Sequence, residues 1–196
     1  MAFNNNVNNA VLSGTTGTGS FVGANSPTLI TPTLGVASAS SITFSSTSGL
    51  IGTTTNDNAT ALSVGEVISS QITVANAVSV PNITTTTLTS IALTAGDWDV
   101  WGNVGFTGGA TTVIKTMAGW INTSVATANG TLTARETISS TGLAIFAGGQ
   151  TYGFVVDLAG TPLRFSGNQT VYLLLQAVFT VSTTNAYGTL WARRVR

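Results

Sequence analysis

Only two carboxylates in the 196-residue chain stand close enough to act as a pair, Asp97 and Asp99, two residues apart beside Trp101. At period two they share one face of a strand, an arrangement open to a glycosidase-like carboxylate pair or to part of a calcium site. Both chemistries ask for more than this stretch holds. A dedicated calcium loop gathers more acids, and an aspartate at a turn ordinarily accepts backbone N–H groups. The chain contains no cysteine and no histidine, which removes disulfides, thiol nucleophiles, the usual zinc sets and every histidine-based triad or proton shuttle. Ser13–Ser20, SGTTGTGS, is glycine-rich but lacks the Lys-Ser/Thr and the helix of a phosphate-binding loop, so it reads as linker or turn. The expectation is a protein that is not an enzyme, with no catalytic residue, no cofactor and no metal.

What positions the acid pair is Ser90–Phe106, SIALTAGDWDVWGNVGF, where two runs of alternating apolar residues meet at Ala95-Gly96-Asp97. Ile91 and Leu93 lead in; Trp98, Val100, Val104 and Phe106 then fall on one face, with Gly102 as the small member of the row. Asp97, Asp99 and Asn103 take the other face. Trp101 sits among them and is too large to be left in water without a reason, so this face is expected to be covered as well.

Composition points the same way. Apolar residues make up 43% of the chain, enough for a core, while charged residues make up 6%, far below the roughly one quarter of an average globular domain. Hydroxyls and amides supply the polarity instead. With a formal net charge of zero, an isolated monomer has little electrostatic protection against association, so the surface is expected to live in contact with copies of itself or a larger assembly. Arg193, Arg194 and Arg196 crowd one end, yet a phosphate-tracking groove needs a broader basic footprint. They are expected to lie at a strand end and pair with Asp or Glu of a neighbour, with no nucleic acid bound. The N-terminus MAFNNNVNNA has neither a basic region nor an apolar stretch, and no segment is long enough to cross a bilayer as a helix. No membrane partner and no secretion signal are expected.

The chain divides into an extended part, residues 1–62, and a compact domain, residues 63–196. In the Asn-rich opening Phe3, Val7 and Val11 lie four apart; Pro27 and Pro32 then bracket Leu29 and Ile30 in a pattern for extended chain lying along a surface. Val36–Thr60 is nearly all Ser, Thr, Ala, Gly and Asn. It is either a slender stalk ordered by three copies running side by side or a flexible linker.

From Ser63 onward short strands alternate with Gly, Pro and Asn turns. Val64–Val80 predicts one or two strands with Ile68, Ile72, Val74, Val78 and Val80 inward. Thr112–Ile121 predicts a strand with Val113, Met117 and Ile121 against Ile114 and Trp120. Asn129-Gly130 signals a hairpin, and strands follow at Leu143–Phe146, Gln150–Leu158 and Leu163–Ser166, with Gly160-Thr161-Pro162 as a turn. Thr170–Ser182 places Val171, Leu173, Leu175, Ala177, Phe179 and Val181 on one face and Leu174 and Val178 on the other. After a turn at Thr183-Thr184-Asn185, the last strand carries Tyr187 and Trp191 opposite Leu190. The fold class is therefore all-β, an antiparallel jelly-roll sandwich. Apolar residues on both faces predict that it is trimeric, since a closed trimer would cover the second face.

Particular stretches also carry a family likeness. GTGSFVGANSPTLITPTLG, Gly17–Gly35, resembles a segment that recurs in bacteriophage tail-fibre and related virion appendage proteins. GEVISS at Gly65–Ser70, SIALTAGDWDVWGNVGF and TVYLLLQAVFTVSTTNAYGTLWARRVR at Thr170–Arg196 are similar to a C-terminal module of such proteins. That module in turn resembles the trimeric jelly rolls of the C1q and tumour-necrosis-factor type. The resemblance implies a virion location and a short homotrimeric fibre bound to a phage tail or capsid protein. Its anchor would include Phe3, Val7, Val11, Phe21, Leu29 and Ile30, behind an outward head used in host attachment. Trp101, Trp120, Leu174, Val178, Tyr187 and Trp191 are the candidate trimer contacts. Trp101, Trp120 and Tyr187 are also the candidate contacts for a host surface glycan. A capsid head-fibre or decoration protein without receptor role, and a carbohydrate-binding module, remain as alternatives.

Overall fold

Alternation of side chains at period two builds the nine described strands around one main core. The computed structural model describes Ser41 and residues 54–125, 134–144 and 154–196, with 134–144 and Phe154 described by their backbone alone. Two units divide the chain, Met1–Thr53 and Thr54–Arg196, and every described strand belongs to the second. The anchor residues Phe3, Val7, Val11, Phe21, Leu29 and Ile30 lie outside the described residues, as do most of the Ser/Thr-rich stretch and the Asn129-Gly130 turn.

The strands are β1 (Val67–Ile72), β2 (Val78–Ser79), β3 (Thr86–Leu93), β4 (Gly96–Gly108), β5 (Val113–Asn122), β6 (Ala134–Ala144), β7 (Phe154–Phe165), β8 (Gln169–Thr180) and β9 (Thr184–Arg194). One sheet has the order β1-β9-β4-β7, with β2 continuing the β1 edge along β9; the other has the order β3-β8-β5-β6. All pairings are antiparallel. Successive strands cross from sheet to sheet except at β1–β2 and β5–β6, which is the interleaved connectivity of an antiparallel jelly roll.

Between the sheets lie the rows that alternation predicts. Trp98, Val100, Val104 and Phe106 of β4 are fully buried, as are Val171, Leu173, Leu175 and Ala177 of β8 and Ala186, Leu190 and Ala192 of β9. Burying such side chains contributes about 1.5–3 kcal/mol each for the larger ones, which makes this interior the main source of stability.

Four expectations are corrected, each for a local reason. Val74 and Val78 point outward, because a 3-10 turn at Val74–Asn76 breaks the alternation between β1 and β2. Ile114 joins Met117 and Ile121 in the core, because the register shifts between Ile114 and Thr116 and one extra residue, Lys115, inverts the phase. Gly160-Thr161-Pro162 is no turn: β7 runs through it, with the register shift against β4 falling between the Val100 and Gly102 pairings. Pro162 is tolerated because β7 is an edge strand whose outer side has no ladder to complete. Finally, Val181 leaves the core row and is 66% exposed.

Val181 and Ser182 both have positive φ, 59° and 65°, and together form the turn from β8 into β9. A β-branched residue is strained there, because its side chain crowds the backbone. The double replacement Val181→Asn with Ser182→Gly is expected to stabilise the fold by about 1 kcal/mol, read as a rise of a few degrees in the thermal midpoint.

Candidate interaction faces

The acid pair is held by arginines. Asp97 Oδ2 lies 2.8 Å from Arg196 Nη2 and 3.6 Å from Arg164 Nε, and Asp99 Oδ2 lies 3.5 Å from Arg193 Nη2. β4 positions both aspartates on the outward face of its sheet, where β7 and β9 bring the guanidinium groups alongside. Exposed pairs of this kind contribute little to stability. They do occupy the two carboxylates, leaving neither disposed as an acid or nucleophile over an open cleft. Among the described residues no three His, Cys, Asp or Glu side chains gather to hold an ion. No helix among them is long and apolar enough to cross a membrane.

The three terminal arginines do pair with acids, but with acids of their own chain. Arg194 differs from the other two. By alternation it follows Leu190 and Ala192 inward, and it ends up buried: its Nε donates to Glu66 Oε2 at 3.0 Å, with the two side chains only 5% and 10% exposed. Its Nη1 donates to the Ala95 carbonyl at 2.9 Å, its Nη2 meets Thr94 Oγ1, and its guanidinium carbon sits 4.3 Å over the Trp98 ring. Glu66 also accepts the Leu62 N–H at 2.9 Å. One cation thus ties the segment entering β1, the β3–β4 turn and β9 together. Glu66 gives no sign of this in the sequence; period two along β9 was the available signal for Arg194.

Large side chains do occupy both outer faces of the sandwich. On the β1-β9-β4-β7 sheet, Trp101 and Trp191 are directly opposed in the register and stack with centroids 6.3 Å apart and planes 12° from parallel. Both are half-buried. Tyr187 is opposite Gly105 and packs on it, so a Cβ on residue 105 would clash with Cζ, Cε2 and Oη of the tyrosine. Such aromatic cover over a strand glycine is a recognised way of filling the gap that the missing side chain leaves.

On the β3-β8-β5-β6 sheet, Trp120 is directly opposed to Leu174, and these two with Ala118 form a second buried apolar cluster, outside the main core, with Tyr172 packed against it. Trp120 is 3% exposed and Leu174 is fully buried within the chain itself. No sugar has access to Trp120 in this arrangement. Val178, opposite Thr116 on the same face, is half-exposed. The six residues expected at the trimer contact therefore separate: Trp101, Tyr187 and Trp191 on one outer face, Trp120, Leu174 and Val178 on the other. Sequence reasoning named each aromatic but missed that Trp101 and Trp191 meet, because their pairing follows from the β4–β9 register.

Shallow depressions open on the described surface. One, about 160 Å³, is lined by Leu93, Thr94, Asn168 and Gln169; another, about 200 Å³, by Val64, Gly65, Arg193 and Val195. Neither gathers groups able to perform acid–base or nucleophilic chemistry.

No protein-family model matches the sequence, and no curated protein matches it. Among solved structures, the chain is similar to the VP2 subviral particle of infectious bursal disease virus, with 14% identity and a TM-score of 0.38 over 68% of this chain and 34% of that one. It is also similar to structures of the Gx and Gt strains of that virus, at 17% and 16% identity, with TM-scores of 0.35 and 0.34. Those matches cover 66% of this chain and 30% and 29% of the neighbours. The chain spans about a third of the length of these proteins, and no residue role passes from them to it.

Proposed function

We propose that the chain is a virion structural protein without catalytic activity: a short homotrimeric bacteriophage fibre, attached to tail or capsid by its N-terminal part, with the jelly roll outward. The observation that supports this best is a jelly roll that leaves Val155 accessible on one outer face and Val178 half-exposed on the other, in a chain with only 6% charged residues. A surface of hydroxyls, amides and aromatics suits permanent assembly better than solitary life in solution. The likeness of Gly17–Gly35 and Thr170–Arg196 to virion appendage proteins supports the virion in particular.

Sedimentation of the purified chain tests the assembly. Three copies of 19.9 kDa are expected to move as one species. Val178→Asp, placing a charge on the half-exposed row of β8, is expected to yield folded monomer. A folded monomer of the unmodified chain rules out the trimer, and an unchanged trimer of the variant moves the contact elsewhere. Gold-labelled antibody on particles from the source culture tests the location. Label at the tail supports a tail fibre, label over the capsid supports a head fibre or decoration protein, and unlabelled particles overturn the virion reading.

A further inference from the structure

We propose that the outer face of the β1-β9-β4-β7 sheet, centred on the Trp101–Trp191 pair, is a binding site for a neutral polysaccharide. This goes beyond the structural role and does not depend on it.

Three observations carry the assignment. First, the two half-buried indoles form one aromatic pair, stacked at 6.3 Å across directly paired positions, so that each turns one ring face away from the other. An indole offers a flat apolar surface that matches the C–H face of a pyranose ring.

Second, the positions immediately around the pair are polar, with Val67, Val155 and Tyr187 farther out on the face. Along β4 the pair lies between Asn103 and Asp99, about 7 Å to either side at strand spacing. Along β9 it lies between Thr189 and Arg193, and Ser69 of β1 stands opposite Trp191. An obligate subunit contact would be expected to surround two tryptophans with further apolar side chains. Thr189 is itself buried, but Ser69, Asn103, Asp99 and Arg193 offer hydroxyl, amide and charged groups beside the pair, as sugar hydroxyls require.

Third, some of those groups are already oriented. The Thr189 N–H donates to Asn103 Oδ1 at 3.1 Å, which turns the Asn103 amide NH₂ away as a donor. Gln71 Nε2 donates to Thr189 Oγ1 at 3.1 Å, leaving its carbonyl oxygen as an acceptor. Asp99 and Arg193 hold each other at 3.5 Å and supply one acceptor and one donor with no net charge. That balance favours a neutral polymer over a polyanion. Beside Trp101 the register shift in β7 places Ala159 and Gly160, and a Cβ on Gly160 would meet nothing within 4 Å, so a polymer has room to pass.

The test uses the full chain in native gels containing dextran, yeast mannan, laminarin or galactan, with dextran sulfate as the polyanion arm. At least one neutral polymer is expected to retard migration, and Trp101→Ala and Trp191→Ala are each expected to weaken that retention about tenfold or more. Far-UV circular dichroism checks that the variants fold.

A second readout needs no variant. Trp98 and Trp120 are buried, so acrylamide quenching of tryptophan fluorescence reports mainly on Trp101 and Trp191. The retarding polymer is expected to shield this emission. Absence of retardation and shielding by all four neutral polymers overturns the proposal. So does retention that survives both substitutions, or retention by dextran sulfate alone.

Discussion

Arg194→Met is expected to cost about 3–5 kcal/mol, enough to remove most of the stability of an ordinary domain. The reason lies less in the ion pair lost than in what stays behind. Glu66 remains inside the fold with its side chain 10% exposed, and its carboxylate loses the guanidinium that pairs with it. The Ala95 carbonyl loses its Arg194 donor and the Trp98 ring its cation, while the methionine keeps much of the packing volume. Desolvating two ions can cancel the gain from pairing them, so the complete pair need not stabilise the fold.

The informative variant is therefore the double one. Arg194→Met with Glu66→Gln removes both charges, keeps a polar group for the Leu62 N–H, and is expected to recover more than half of the loss. Chemical denaturation of the four proteins of the cycle provides the measurement. If the double variant is as unstable as Arg194→Met alone, the cost lies in the Thr94–Ala95 contacts and Trp98, and the buried-charge explanation is wrong.

That latch also marks the boundary of what can be read without coordinates. Core rows followed from alternation alone, because a strand with one buried face must place every second residue inward; Trp98–Phe106 and Val171–Phe179 are the clearest cases. Where a single residue is added, alternation fails from that point onward. Lys115 moves Ile114 to the Met117 side, and the register shift in β7 lets one strand pass through Gly160-Thr161-Pro162, a triplet that otherwise reads as a turn. Local sequence has no term for a bulge, which is decided by the partner strand.

The candidate faces show the same division. Trp101 was recognisable as a tryptophan on a polar row. That it stacks on Trp191, ninety residues later, depends on which strands become neighbours and in which register. Glu66 and Arg194 are farther apart still, and they meet because β1 and β9 pair at the edge of one sheet. Burial of Trp120 and Leu174 was beyond reach for a related reason. Two-sided apolar patterning says that a face is covered, but not whether the cover belongs to the same chain.

Gly188→Ala is expected to be the most damaging single methyl group in the described part of the chain. Gly188 sits in the middle of β9, between Ile72 of β1 and Val104 of β4. A Cβ there would fall inside the van der Waals radius of the Asn103 carbonyl oxygen, with the Asn103 carbonyl carbon and the Val104 Cα each at 3.1 Å. All three are backbone atoms of the neighbouring strand, so no side-chain rotation relieves the contact. To admit the methyl group β9 must move away from β4, and these are the two inner strands of their sheet. The movement would loosen the Asn103–Thr189 hydrogen bond, the Trp101–Trp191 stack and the core contacts of Leu190 together. Overpacking a core typically costs about 1–3 kcal/mol; with a rigid backbone as the obstacle the loss here is expected at about 3 kcal/mol or more. Gly167→Ala is the matched control, since a Cβ there meets nothing within 4 Å, and its effect is expected within about 0.5 kcal/mol of zero. Comparable stability of the two variants in urea would show that β4 and β9 can separate at little cost, and that the tryptophan pair they carry is not rigidly held.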